Sequence, residues 1–133
     1  MDKIVFITGA SSGIGAGCAR KFASQGASLI LNARNVNKLS ALKEELEKQY
    51  GAKIYLIPFD VRDRKAATSA LESLPKEWQS IDILVNNAGL VIGTDKEQEG
   101  SLDEWDIVID TNIKALLAMT RLIVPGMVER KRG

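Results

Sequence analysis

The chain has 133 residues, of which 45% are hydrophobic and 26% charged, with 18 Lys and Arg against 17 Asp and Glu. This length has room for one ordinary domain, and the near-neutral charge gives no electrostatic signature of a nucleic-acid or anionic-membrane partner. The absence of His excludes imidazole catalysis and the commonest zinc sites, and the single Cys18 excludes an internal disulfide. With no export signal and no apolar run near the ~20 residues that span a bilayer, we expect a cytoplasmic domain without a membrane partner.

Four short apolar runs predict β-strands at residues 4–7, 29–31, 54–57 and 83–85. Nearly continuous apolar runs are typical of parallel strands that are covered on both faces. Apolar residues with helical spacing lie between the runs, at Ile14, Cys18 and Phe22, at Leu39, Leu42, Leu46 and Tyr50, and at Ala67, Leu71 and Leu74. Pro75 marks the expected end of the third helix. This alternation predicts an α/β fold with a doubly wound parallel sheet, for which we expect the strand order 3-2-1-4.

A long helix is predicted after the fourth strand. The segment from Ser101 to Glu104 has the capping-box pattern, in which the two side chains each satisfy a backbone amide. The helix that begins there presents an apolar face made of Trp105, Ile109, Ile113, Leu116 and Leu117. Pro125 and Gly126 are expected to bend or end it. The basic residues Arg130, Lys131 and Arg132 favour a helix C-terminus, or else the chain ends in a solvated, frayed tail.

The first predicted strand leads directly into a glycine-rich loop at residues 8–15, after which helical periodicity begins. Glycines here permit a tight turn and let the backbone approach a pyrophosphate, while the free amides of the helix N-terminus face the anion. A triphosphate-binding P-loop would need a Lys after its last glycine, and Gly15 is followed by Ala16. The alternative is that Gly9, Gly13 and Gly15 serve only a turn, but their place between a strand and a helix favours a dinucleotide site.

Four motifs in this order resemble those of the short-chain dehydrogenase/reductase family. They are the glycine loop, Asp60-Val61, Asn86-Asn87-Ala88-Gly89 and Asp110-Thr111-Asn112. The resemblance extends over residues 1–133 but covers only the cofactor-binding half of the family's fold. It implies a single, partial Rossmann-type NAD(P)-binding domain, truncated before the fifth strand. Residues 74–78, 81–90 and 125–130 look most similar to NADP-dependent serine or 3-hydroxy acid dehydrogenases.

The choice of nicotinamide cofactor depends on a position about 20 residues after the glycine loop, where an acid binds the ribose of NAD and an Arg binds the 2′-phosphate of NADP. The segment there reads Ala33-Arg34-Asn35, without a carboxylate. The resemblance places the family's NAD-selecting acid at Ala33 and its NADP-selecting Arg at Arg34. Because a guanidinium forms charge-assisted hydrogen bonds with phosphate, we expect NADP(H) to be preferred over NAD. The alternative is that Arg34 is a solvated surface cation.

The resemblance also assigns roles to three later residues. Asp60 would hydrogen-bond the adenine amino group, whereas the residues alone indicate a strand-end or helix N-cap carboxylate. One amide after the fourth strand would steady the sheet, and Asn87 would approach the cofactor ribose. Asn112 would be the Asn of the catalytic tetrad and hold a water in a proton relay; the alternative is a structurally satisfied, buried Asn. The residues expected to bind the cofactor are Gly9, Ala10, Ser11, Ser12, Gly13, Ile14, Gly15, Arg34, Asn35, Asp60, Val61, Asn87, Ala88 and Gly89, and no metal site is expected.

The family's catalytic Ser and its Tyr-x-x-x-Lys motif are not found, since the two tyrosines, Tyr50 and Tyr55, are followed four residues later by Ile54 and Phe59. Family chemistry is hydride transfer between the nicotinamide and a hydroxyl or carbonyl carbon, with a Tyr as proton donor or acceptor. We therefore expect the N-terminal, NADP(H)-binding part of an oxidoreductase for a small hydroxy acid or another alcohol or carbonyl compound, inactive alone. The alternative is a non-catalytic dinucleotide-binding or interaction module completed by another chain.

Two partner expectations follow from this incomplete fold. A small-molecule substrate would bind only in a full-length form. The exposed edge of the fourth strand and the helix at 101–124 would favour self-association, because an uncovered apolar strand edge invites pairing with another chain.

Overall fold

Strands and helices alternate up to the fourth strand, and only helices follow it, in a computed structural model that describes Met1–Gly133. The strands are β1 (Ile4–Ile7), β2 (Ser28–Leu31), β3 (Ile54–Leu56) and β4 (Ile83–Val85). The α-helices are α1 (Gly13–Ser24), α2 (Val36–Tyr50), α3 (Arg64–Glu72), α4 (Leu102–Ile109) and α5 (Ala115–Arg130). Short 3₁₀ turns lie at Lys76–Trp78 and Glu97–Glu99, and one π-helical turn, Asp110–Lys114, joins α4 to α5. None of these helices combines the length and the apolar content needed to cross a bilayer.

The four strands form one parallel sheet in the order β3-β2-β1-β4, which confirms the predicted α/β architecture. The central strands are completely buried, with Phe6 in β1 and Ile30 in β2 both at 0% exposure. Successive side chains point to opposite faces of the sheet, so the sheet has an apolar layer on each side. Val5, Ile7, Leu29 and Leu31 pack with residues of α1 and α2 on one side. On the other side, Phe6 and Ile30 lie in one core with residues of α3 and α5.

The apolar face predicted for α1 is wrong at its first position. Ile14 is 79% exposed, and the buried residues of the helix are Gly15, Ala16, Ala19 and Ala23. Because these side chains are small, α1 packs closely against the sheet, and the larger Cys18 and Phe22 pack only at the margin of that core. The faces predicted for α2 and α3 are confirmed at the buried Leu39, Leu42, Leu46 and Ala67. Tyr50, at the end of α2, is 40% exposed, and the buried Leu74 lies just after α3.

The apolar face predicted for the helix after β4 is also wrong. Ala115, Met119 and Ile123 are buried there, whereas Ile113 and Leu117 are 55% and 61% exposed. Ile109, which precedes the π turn at Asp110–Lys114, is already 43% exposed, so the predicted face lies on the solvent side from before the turn. The prediction followed the largest apolar side chains, whereas the buried face repeats every four residues at Ala115, Met119 and Ile123.

The chain's last residues are anchored rather than frayed. Pro125 lies inside α5 and does not end it, since the helix continues to Arg130. The Arg130 guanidinium donates to the Ile81 carbonyl oxygen at 2.6 Å, and Arg132 Nε lies 2.8 Å from the buried carboxylate of Asp82. These contacts tie the end of α5 to the amino-terminal edge of the sheet, away from the carboxyl ends of the strands.

Candidate functional site

A cleft of about 780 Å³ lies at the carboxyl ends of the strands. The loops that follow all four strands line it, beginning at Gly9 after β1, Asn32 after β2, Phe59 after β3 and Asn87 after β4. The strand order reverses direction beside β1, and ligands of open parallel sheets bind in the crevice at such a switch point. The volume falls within the range of small-molecule and cofactor pockets.

The helix that follows the glycine loop, α1, begins at this cleft without a side-chain cap. At the N-termini of α2, α3 and α4, the side chains of Asn35, Asp63 and Ser101 accept hydrogen bonds from backbone amides. The N-cap of α1, Ser12, makes no such bond, and the first turn of α1 contains no acidic residue. The first amides and the positive end of the helix dipole are therefore available to an anion in the cleft.

The glycines are required by close backbone packing. Gly9 has φ +62°, in the left-handed region, and a Cβ there would lie 2.9 Å from Ala88 Cα. A Cβ on Gly15 would collide with the Gly9 carbonyl oxygen and with Asn87 Nδ2. Gly13 also has a positive φ, of +55°, but faces open space. Glycine at 9 and 15 thus brings α1 against the loop after β4, as the spacing predicts.

Thr8 and Asn87 join the glycine loop to the loop after β4. The buried Thr8 hydroxyl accepts hydrogen bonds from the backbone amides of Asn87 and Ala88, at 3.0 and 2.9 Å. Asn87 Nδ2 donates in return to the carbonyl oxygens of Thr8 and Gly9. Asn86 points elsewhere and donates to the hydroxyl of Thr120 on α5. Both amides are therefore paired into the fold, while Asn87 also lines the cleft.

The opposite end of the cleft is cationic. Ala33 lies almost buried in its wall, and Arg34 beside it has an exposed side chain without a hydrogen-bonded partner. Asn35 caps α2 by accepting from the Lys38 amide at 3.1 Å, so its side-chain oxygen is already engaged. The Lys38 side chain lines the same end.

Asp60 lies in the loop after β3 and is held by Arg62. The guanidinium donates from Nε and Nη2 to the carboxylate, with a shortest distance of 2.8 Å, and the Arg62 backbone amide donates to Oδ1 at 2.9 Å. Because the hydrogen bonds to Arg62 stabilise the charged form, they lower the pKa of the Asp60 carboxyl. The helix N-cap role considered for Asp60 belongs instead to Asp63, which accepts from the Ala66 amide.

Asn112 acts on the cleft through Leu90. Its Oδ1 accepts from the Leu90 amide and its Nδ2 donates to the Leu90 carbonyl oxygen, both at 2.8 Å. The residue lies in the π turn, a distortion that is frequent at functional sites. Both polar atoms of its side chain are thus used to position the loop after β4, and its part in a water relay stays a prediction.

The structure brings most of the predicted cofactor-binding residues together. The ones that line the cleft are Gly9, Ser11, Ser12, Ile14, Arg34, Asn35, Asp60, Val61, Asn87, Ala88 and Gly89. Ala10 and Gly15 are buried behind the loop, and Gly13 and Asn112 do not line the cleft.

The cleft-lining residues that sequence reasoning did not assign to the cofactor are Asn32, Ala33, Lys38, Phe59, Arg62, Leu90 and Thr111, and it also missed Thr8, which joins two of the loops around the cleft. Asn32 is buried and donates to the carbonyl oxygens of Ile57 and Phe59. It could have been found by the argument used for Asn86 and Asn87, because it too is an amide directly after an apolar strand.

The fold and the cleft define a Rossmann-type, dinucleotide-binding α/β protein. The model of the short chain dehydrogenase family matches residues 3–133, and the chain belongs to that family. The NADP-dependent 3-hydroxy acid dehydrogenase YdfG of Escherichia coli O6:H1 is 46% identical over 130 residues, which are 98% of this chain and 51% of that protein. Sulfoacetaldehyde reductase 2 of Chromohalobacter salexigens is 41% identical over 133 residues, which are 100% of this chain and 52% of that protein.

A solved structure shares the architecture in detail. The closed form of a serine dehydrogenase complexed with NADP⁺ superposes with a TM-score of 0.89 at 45% identity, covering 98% of this chain and 51% of that one. The chain thus spans about half the length of the curated relatives that it matches.

Proposed function

We propose that residues 1–133 are a single NADP(H)-binding domain, the N-terminal part of a short-chain oxidoreductase for a small hydroxy acid or another alcohol or carbonyl compound. The observation that carries this proposal is the charge of the cleft: Arg34 stands free next to Ala33, the position where an NAD-specific member of the family would place an acid, and Asp60 is neutralised by Arg62. The similarity to a 3-hydroxy acid dehydrogenase and to a serine dehydrogenase supports the substrate class. The predicted cytoplasmic location stays a prediction.

The residues of the cleft fit this cofactor. The uncapped amides of α1 face the place for a pyrophosphate, and glycine at positions 9 and 15 leaves no Cβ between the loop and α1. Arg34, with Asn35 and Lys38 beside it, would hold the 2′-phosphate, and Asp60 and Val61 would face the adenine. Asn87, Ala88 and Gly89 would line the ribose on the nicotinamide side. When bound, NADP(H) would supply or accept a hydride.

Fluorescence titration with NADPH and NADH tests the cofactor proposal. We expect NADPH to bind at least about tenfold more tightly, because a charge-assisted bond to the 2′-phosphate is worth about 1.4 kcal/mol or more. Arg34→Gln should remove this preference and leave NADH binding unchanged. Arg20→Gln, a change of an exposed Arg that pairs with Glu45 outside the cleft, is the matched control. Equal affinities for the two cofactors in the unaltered chain would refute the proposal.

We propose that this 133-residue chain does not turn over substrate by itself. The supporting observation is chemical: neither Tyr50 nor Tyr55 has a Lys four residues later, and neither lines the cleft. Incubation with NADP⁺ and L-serine or 3-hydroxypropionate should therefore produce no NADPH absorbance. Turnover that is proportional to the concentration of the chain would refute this statement.

We also propose that the chain self-associates through the edge of β4 and the outer face of the helix at 101–124. β4 is paired only with β1, and Ile109, Ile113 and Leu117 are exposed on α4, the π turn and α5. Sedimentation should show association that increases with concentration, and Leu117→Glu should shift it towards monomer. A monomer at all concentrations would contradict the proposal.

A further inference from the structure

The side chains that line the cleft carry one negative charge among three positive ones. Arg34, Lys38 and Arg62 are the cations, and Asp60 is the anion. All four lie in the loops after β2 and β3 or in the first turn of α2. A carboxylate at this end is expected to repel a phosphate, so how Asp60 is neutralised bears directly on which ligand the cleft accepts.

Three nitrogen atoms of Arg62 donate hydrogen bonds to the Asp60 carboxylate. Arg62 Nε lies 3.2 Å from each carboxylate oxygen, Nη2 lies 2.8 Å from Oδ2, and the backbone amide of Arg62 donates to Oδ1. The two side chains are about 30% exposed, which leaves the pair at the rim of the cleft rather than in the core. Side-chain and backbone donors of one residue thus fix both the charge and the orientation of the carboxylate.

Arg34 is the other cation that acts on Asp60. Its charge contributes to the lowered pKa of the Asp60 carboxyl, yet it makes no hydrogen bond with that carboxylate. Since Arg34 is exposed and has no other partner, an unpaired Asp60 would attract its guanidinium. Arg34 could then pair with Asp60 or with an incoming phosphate, and the two interactions would compete.

We propose that Arg62 is a positioning residue for phosphate selectivity: by holding Asp60, it keeps the Arg34 guanidinium free for the 2′-phosphate of the cofactor and removes a repulsive charge from that end of the cleft. This inference rests on the proposed NADP(H) function. Arg62 acts through Asp60 and does not itself contact the phosphate.

Two nucleotides that differ mainly by the phosphate in question provide the test. The affinities of the full chain for adenosine 2′,5′-bisphosphate and for adenosine 5′-phosphate are measured by calorimetry. The ratio of the first affinity to the second gives the contribution of the 2′-phosphate. In Arg62→Ala we expect the ratio to fall about fivefold to tenfold, the usual effect of one charge-assisted interaction. Adding Asp60→Asn to Arg62→Ala should restore the ratio to within about twofold, because no carboxylate remains to compete.

Two further variants separate this role from a structural one. Arg62→Gln keeps most of the side chain's length and is used alongside Arg62→Ala, with thermal unfolding to show that both variants are folded. Arg64→Ala removes the same charge two residues later at the start of α3, outside the cleft, and should leave the ratio unchanged.

The inference is overturned if both Arg62 variants weaken the two nucleotides equally, which is what a general loss of structure would do. It is also overturned if Asp60→Asn fails to restore the ratio, since Arg62 would then contact the phosphate directly. A ratio near one in the unaltered chain would refute the NADP(H) proposal itself, before any variant is compared.

Discussion

Thr8→Val tests whether one buried hydroxyl holds the two halves of the cleft together. The substitution keeps the shape of a side chain that is 1% exposed and removes only its hydrogen-bonding capacity. The hydroxyl of Thr8 accepts from the amides of Asn87 and Ala88 and lies 3.4 Å from the Val85 carbonyl oxygen. Val at position 8 therefore changes the polar contacts of the junction with little change in packing.

The loss of stability expected in Thr8→Val depends on which backbone amide loses its only hydrogen-bond acceptor. The Asn87 amide also reaches the Val85 carbonyl oxygen at 3.0 Å and keeps that bond. The Ala88 amide bonds only to the Thr8 hydroxyl, at 2.9 Å. Leaving such a part-buried donor without a partner costs about 1–3 kcal/mol. Taking about 2 kcal/mol, the unfolding entropy typical of a chain of this size gives a fall of about 7 °C in the melting temperature.

Thr8→Ser is the matched control, because it keeps the hydroxyl and removes one buried methyl group, at about 0.8 kcal/mol or about 3 °C. Thermal and urea unfolding followed by circular dichroism measure both variants, with NADPH titration as the functional readout. Thr8→Val should be the less stable of the two and should bind NADPH more weakly. If Thr8→Ser is as destabilised as Thr8→Val, packing rather than hydrogen bonding holds this junction, and the reasoning is refuted.

Three further outcomes are expected from the same unfolding assays. The lowered pKa of the Asp60 carboxyl means that its ion pair stabilises the fold above the unfolded-state pKa of about 3.9 and loses that effect as pH falls through the lower folded-state value. The stability advantage of the unaltered chain over Asp60→Asn should therefore shrink in acid below about pH 4; a constant difference would contradict this. Arg132→Ala should cost about 1 kcal/mol, since it unpairs the buried Asp82 while its own side chain is half exposed, and an unchanged urea midpoint would contradict this. Gly15→Ala should destabilise the fold by more than about 2 kcal/mol, because the added Cβ has no space. Gly17→Ala lies in an exposed helical turn with no atoms nearby and should stabilise the fold by about 0.5–1 kcal/mol. Equal effects of the two changes would contradict the packing argument.

The sheet was predictable because its signals are local and redundant. Each strand is an apolar run, each crossover has helical periodicity, and the handedness of crossovers leaves few orders for four parallel strands. The glycine loop was predictable for the same reason, since a tight turn between a strand and a helix needs glycine wherever backbone meets backbone, as at Gly9 and Gly15.

The buried face of the helices after β4 was not predicted, because it includes the polar Thr111 and the small Ala115, which a count of large apolar residues passes over. That count selected Ile109, Ile113 and Leu117, which are all exposed, and passed over Met119, which is buried. The Arg62–Asp60 pair was missed for a different reason. It joins residues two apart in a loop, where neither helical nor strand spacing predicts a contact.

The amides of the cleft show how one residue type serves both stability and binding. The side chains of Asn32, Asn87 and Asn112 each hydrogen-bond to backbone groups of a neighbouring loop, at Ile57 and Phe59, at Thr8 and Gly9, and at Leu90. An amide suits this work because it donates and accepts without a charge, so it satisfies loop carbonyls that the sheet leaves unpaired. Since these side chains hold the cleft walls, the positive groups left free for a ligand are the first backbone amides of α1, the guanidinium of Arg34 and the ammonium of Lys38. All of these groups favour negative charge, so the cleft favours an anionic ligand.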